Sequence, residues 1–171
     1  MALTQVAAGL LAGSITSSQI TSVAGSTLTG TQTIPRGTLP TGSVLQVVFA
    51  YTNSGFTNTT SSTYIATTLS GSITPTSASS KILVSFSGGV YQTSGNGYYA
   101  IFRNGSNFAN NQIHNALANA WSTQGGSFLD SPATTSAITY QIYMKAVGGG
   151  TTFFGGDSPL VNSITMMEIS A

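Results

Sequence analysis

Eight side chains of this 171-residue sequence are acids, bases or a histidine: Arg36, Lys81, Arg103, His114, Asp130, Lys145, Asp157 and Glu168. Acid-base catalysis needs a base within hydrogen-bonding reach of the proton it takes, and a serine nucleophile needs a histidine beside it and a carboxylate behind. One histidine and three acids in distant segments supply neither by spacing. No GxSxG turn occurs, and Gly148-Gly149-Gly150 lacks the following Lys-Ser/Thr and helix of a phosphate-cradling loop. The residues therefore predict no enzyme, and His114 reads as a loop or hydrogen-bonded residue rather than a base.

Metal chemistry is as thinly provided. One histidine and no cysteine cannot assemble a zinc site. Asp130 or Asp157 with backbone carbonyls would make at most a weak calcium site, the alternative being that each caps a turn. No cofactor is expected. Four scattered basic residues offer few phosphate contacts and no basic stripe, which argues against nucleic acid as a partner. The aromatics remain. Tyr98 and Tyr99 follow the flexible SGNG at 94–97, and Trp121 lies between Asn119 and Gln124, so each is a candidate for glycan contact, stacking on a sugar face with amides nearby. Only one of two adjacent strand residues can face a core, so either Tyr98 or Tyr99 points elsewhere; subunit packing is the competing use for all three.

The framework that must position these residues is unusually uncharged. Charged residues make up 4% of the chain, against about 25% in ordinary domains. With 25 Ser and 26 Thr, the solvated surface is hydroxyl and amide, which salt hardly screens. Mean hydropathy is +0.21 and net charge +1, a balance that favours folding over disorder. The absence of cysteine removes disulfides and leaves the redox compartment open.

Residues 1–42 form a zone of Gly, Ser, Thr and Ala with isolated aliphatics, closed by Pro35 and Pro40. No helical or strand period persists there. We read it as an extended N-terminal anchoring arm whose Leu3, Val6, Leu10, Leu11, Ile15, Ile20 and Val23 lie in grooves of a larger assembly. The opening MALTQVAAGLLAG has no basic residue before Arg36, unlike a secretory signal. No run approaches the roughly 18 apolar residues of a membrane helix, so membrane insertion is not expected.

Residues 43–171 are strand-like. SITPTSASSKILVSFSGGVY at 72–91 organises the rest: Ile82, Val84 and Phe86 alternate with Leu83, Ser85 and Ser87, and Gly88-Gly89 would let the chain bend. Strands are expected at 44–51, 63–73, 81–91, 97–104, 106–113, 136–147, 151–155 and 163–169, with Asn104-Gly105 as a two-residue hairpin turn. Between 110 and 121, Ile113, Leu117 and Trp121 fall at helical spacing, where a short helix competes with a loop or broken strand. Eight short strands without a convincing helix predict an all-β antiparallel sandwich or jelly roll.

The last strands argue for several copies. Ile164 and Met166 share one face of SITMMEI and Met167 and Ile169 the other; Ile138, Tyr140, Ile142 and Met144 oppose Tyr143. A lone sandwich needs one face covered. Tyr140, Tyr143, Met166, Met167 and Ile169 are therefore candidates for a subunit interface.

Together, SITPTSASSKILVSFSGGV, YYAIFRNGS, ITYQIYMKAVGGGTTFF and the terminal SITMMEISA resemble small structural proteins of tailed bacteriophages, whose C-terminal domains are trimeric jelly rolls of the tumour-necrosis-factor type. The resemblance covers about residues 44–171 and implies a homotrimer at the virion surface, its arm bound to capsid or tail proteins. Such a chain serves as a capsid decoration or head-fibre knob; the alternative is a tail-fibre tip that attaches to host surface glycan.

Overall fold

Strand β4 (Lys81–Gln92) sits at the centre of the first sheet because its alternation gives it one largely apolar face: Ile82, Val84, Phe86 and Val90 are all buried, with Gln92 buried at its end. The structure, a computed structural model, describes residues 39–53, 55–108, 112–115, 118–156 and 161–171. The anchoring candidates Leu3, Val6, Leu10, Leu11, Ile15, Ile20 and Val23 lie outside the described residues, as does Asp157. Leu39–Ala171 forms one unit.

Its strands are β1 (Val44–Thr52), β2 (Phe56–Thr59), β3 (Ile65–Ile73), β4, β5 (Asn96–Arg103), β6 (Ile113–Asn115), β7 (Ser122–Asp130), β8 (Ile138–Val147), β9 (Thr152–Gly155) and β10 (Asn162–Ile169). They form two antiparallel sheets. In the first the order is β1-β10-β4-β9-β2, with β7 on the free side of β4; in the second it is β3-β8-β5-β6. The core draws on both, bringing Ile82, Val84, Phe86, Ile164 and Met166 together with Leu69, Tyr99, Ile101, Tyr140, Ile142 and Met144. The fold is all-β and sandwich-like, without helix among the described residues.

Gly88-Gly89 does not end the strand. It marks a change of partner: β4 pairs with β10 from Lys81 to Ser87 and with β9 from Val90 to Gln92, while β7 runs along its other side from Ile82 to Val90. Between the two partners the Gly89 N–H donates to Asn162 Oδ1 at 2.8 Å. Gly88 is glycine because Phe154 occupies the space above it; a Cβ there would stand 2.5 Å from the ring.

The expected strand at 106–113 does not form among the described residues. Asn104 and Gly105 adopt φ of 48° and 77°, and Arg103 and Ser106 exchange two backbone hydrogen bonds of 2.9 Å, so the hairpin turn is as expected. Beyond it no further pairing to β5 forms among the described residues until β6, which meets β5 only from Gly97 to Tyr99. Phe108 instead turns onto Phe128 and Tyr140. The helix weighed for 110–121 is absent among the described residues: Ile113 opens β6, and 118–120 is a turn and bend leading to β7. Strands β2 and β7 were not expected from the sequence.

Candidate functional site

The outer face of the first sheet carries the unusual chemistry. Residues at odd positions of β1 and β10 point away from the core, and the pairing aligns them into rows. Val47 stands opposite Met167, Met167 opposite Leu83, and Leu83 opposite Leu129. Four strands thus contribute one apolar residue each to a continuous outward row. Val47 is 56% exposed and Leu129 49%. Beside this row Phe49 and Tyr51 stack at 6.0 Å and remain 59% and 62% exposed. Val44 and Ile169 pair at the next position. Water meets a large apolar surface here, of the kind that marks an interaction site.

Two of the interface candidates read from the sequence need correction. Tyr140 and Met166 are fully buried inside a single copy, because the opposing sheet covers the face they share with Ile142 and Ile164; neither reaches a partner. Met167 and Ile169 alternate with Met166 and lie on the outward face, partly exposed. Tyr143 is also outward, on the second sheet, but Phe102 stacks on it at 3.9 Å, so part of its surface is already covered. The residues missed are Val44, Val47, Phe49, Tyr51, Leu83 and Leu129. The signal for the first four was present in VLQVVFAY, which is apolar on both faces in the manner of SITMMEI.

At the other end of the same face runs an aromatic strip. Tyr91 pairs with Phe153 across β4 and β9, and the rings Phe56, Phe153, Tyr91 and Trp121 follow one another at 5.4, 5.6 and 5.2 Å. Trp121 is 51% exposed. Of the glycan-contact candidates, it alone stands open on this strip. Tyr99 is a correction: it is fully buried and its hydroxyl donates to the Phe153 carbonyl at 3.0 Å. Burial pushes its phenol well above the ordinary range.

Tyr98 faces out on the second sheet, half-buried in a separate cluster. His114 stacks against it at 4.9 Å, and Lys145 Nζ lies 5.4 Å from its ring and 4.6 Å from that of Tyr64, a cation over aromatic faces. His114 Nε2 is 2.8 Å from Asn96 Oδ1, so the histidine lies on a strand with an amide partner.

The described acids are structural. Asp130 accepts from Arg103 Nη1 at 3.0 Å on each oxygen and from the Tyr140 hydroxyl at 2.6 Å, which occupies the carboxylate considered for calcium or a turn cap. Burial first, then the bond to Asp130, raises the Tyr140 phenol far above its usual range. Glu168 is fully buried on the inner face of β10. It accepts from Gln46 Nε2 at 2.6 Å and from the Thr76 N–H and hydroxyl at 2.7 Å. Burial opposes its charge, but these donors outweigh it and hold the carboxyl below its usual value. Among the described residues no three His, Cys, Asp or Glu gather where a metal would be held.

No protein-family model matches the chain, and no curated protein matches it.

Proposed function

We propose that this chain is a structural protein of a bacteriophage particle, a homotrimeric jelly-roll knob on the virion surface, with residues 1–42 as the arm that anchors it to the capsid. The outward apolar row Val47, Met167, Leu83 and Leu129 carries the reading, because it leaves one copy with a surface that a second and third copy would cover. Interface cores resemble a protein interior cut in half.

The order of the strands supports the jelly roll. Setting aside the short β2 and β9, the first strand pairs with the last, β3 with β8, β4 with β7, and β5 with β6. That nesting is one long antiparallel hairpin rolled up on itself. Charge supports the setting: with 4% charged residues, assembly would depend on apolar area and hydroxyl contacts and hardly on salt. The arm would add its aliphatics to grooves between coat subunits.

Analytical ultracentrifugation of the purified chain at micromolar concentration tests the assembly: a mass of three copies is expected, and a single copy overturns it. Deleting residues 1–38, which spares the Pro40 carbonyl that accepts from the Ser170 hydroxyl at 2.7 Å, should leave the trimer intact and abolish attachment to particles. Attachment that survives the deletion removes the anchoring role. A second reading, a tail-fibre tip that meets host glycan, is favoured by the open indole of Trp121. Immunogold labelling of intact particles separates the two by placing the chain on the head or at the tail end.

A further inference from the structure

Trp121 precedes β7 and Leu129 nearly ends it. Eight residues at about 3.3 Å each separate them by about 26 Å, so the aromatic strip is distinct from the apolar row. Between Trp121 and Thr123, β7 passes Gly89, which pairs with Thr123 and has no side chain to fill the space. The result is a notch of about 160 Å³ lined by Gly89, Trp121, Ser122 and Thr123, large enough for one six-membered ring.

The notch is built on a supported frame. Trp121 packs on Tyr91 at 5.2 Å with the rings inclined by 35°, and Tyr91 in turn meets Phe153 edge-on at 5.6 Å. Asn119, at φ 56°, is tied to β4 by its N–H, which donates to the Gln92 carbonyl at 2.6 Å. Its Oδ1 lies 3.5 Å from the Tyr91 hydroxyl, so an amide and a phenol stand together behind the indole. Thr123 adds an exposed hydroxyl on the other side.

We propose that this notch binds a pyranose ring of a neutral glycan, its C–H face on the open face of the Trp121 indole and its hydroxyls toward Thr123, while Tyr91 and Asn119 hold the indole from behind. The chemistry selects that class. No lining residue is charged, so a phosphate or carboxylate would find no counter-charge. An apolar peptide would use the ring but leave the exposed Thr123 hydroxyl at the rim unused, whereas a sugar has one apolar face and a polar circumference that suits both. A further copy of the chain fits the long apolar row better than a recess one ring wide. The site rests on the second reading above, glycan contact through Trp121, and deepens it by naming the recess and the neutral class of sugar; it stands on one copy, so its failure leaves the assembly role untouched, and in a trimer three such notches would act together and raise avidity.

The full-length chain is tested on a glycan array that includes bacterial surface polysaccharides, then titrated with glucose, galactose, mannose and N-acetylglucosamine at millimolar concentration. Trp121 is the single tryptophan of the chain, so its emission reports this site alone. Retention of neutral glycans, a saturable change in emission with at least one sugar, and at least about a tenfold loss of affinity in Trp121→Ala are expected. Trp121→Phe should recover part of the affinity, and Thr123→Arg, which lays a long side chain across the notch, should abolish it. Circular dichroism and sedimented mass should match the parent for each variant. The inference is overturned if no neutral glycan is retained, if Trp121→Ala binds as the parent does, or if Trp121→Ala changes the number of copies, which would make the strip a subunit contact.

Discussion

Arg103, from the second sheet, places Nη1 3.0 Å from both carboxylate oxygens of Asp130, from the first, and so ties the two layers together beside Phe108, over whose ring the guanidinium carbon lies at 5.0 Å. Tyr140, also of the second sheet, donates to the same carboxylate. Arg103→Ala would leave a buried charge with one neutral donor, and should lower the unfolding free energy by about 2–4 kcal/mol, read from urea titration. Tyr140→Phe, which removes one bond and keeps the ring, should cost about 1–2 kcal/mol. The double variant should lose less than the sum, since both act on Asp130.

Glu168 should give the fold an acid-sensitive component. Its native carboxyl titrates below the ordinary 4.5, so on acidification the unfolded chain takes up this proton before the folded one does. The stabilisation is therefore complete above about pH 4.5 and is lost as pH falls through the lower native value. Thermal melts from pH 6 downward should follow that course. Glu168→Gln, which cannot titrate, should flatten it.

The two adjacent methionines of β10 should behave as opposites. Met166→Ala opens a hole in a fully packed core and should cost about 2–5 kcal/mol of stability. Met167→Ala should change the stability of one copy by under about 1 kcal/mol. Val47→Lys or Leu129→Lys, which put a charge into the outward row, should weaken self-association at least about tenfold in sedimentation equilibrium, with an unchanged circular dichroism spectrum.

Gly88→Val should destabilise the fold by about 1–3 kcal/mol through overpacking, because Phe154 must leave its place above the strand. Phe154→Ala in the same chain should relieve part of that clash while opening a cavity of its own, so the paired effect should fall short of the sum. Chemical denaturation of the four species measures the difference.

Strands with a regular apolar alternation were legible before any coordinate. β1, β3, β4, β5, β8, β9 and β10 fall within a few residues of the expected runs, because a period of two is visible in one strand alone. β7 was not, since STQGGSFLD has weak strand propensity: Gly125 and Gly126 are there for neighbours, a Cβ at Gly125 meeting the Phe86 carbonyl oxygen at 2.7 Å and one at Gly126 meeting the Ile113 side chain. β2 is four residues long and, among the described residues, pairs with β9, too short for a period to register.

Composition and alternation by themselves determined an uncharged, all-β chain whose adjacent residues face opposite ways. Which of each pair faces inward was left to the tertiary structure. Tyr99 and Met166 are inside and Tyr98 and Met167 outside because the opposing sheet covers one face of each strand and leaves the other. The same holds for the outward surfaces: Val47, Leu83, Leu129 and Met167 become one row, and Tyr91, Trp121 and Phe153 one strip, through cross-strand register between segments far apart in the chain. Register is a property of pairs of strands, and no single run of residues carries it.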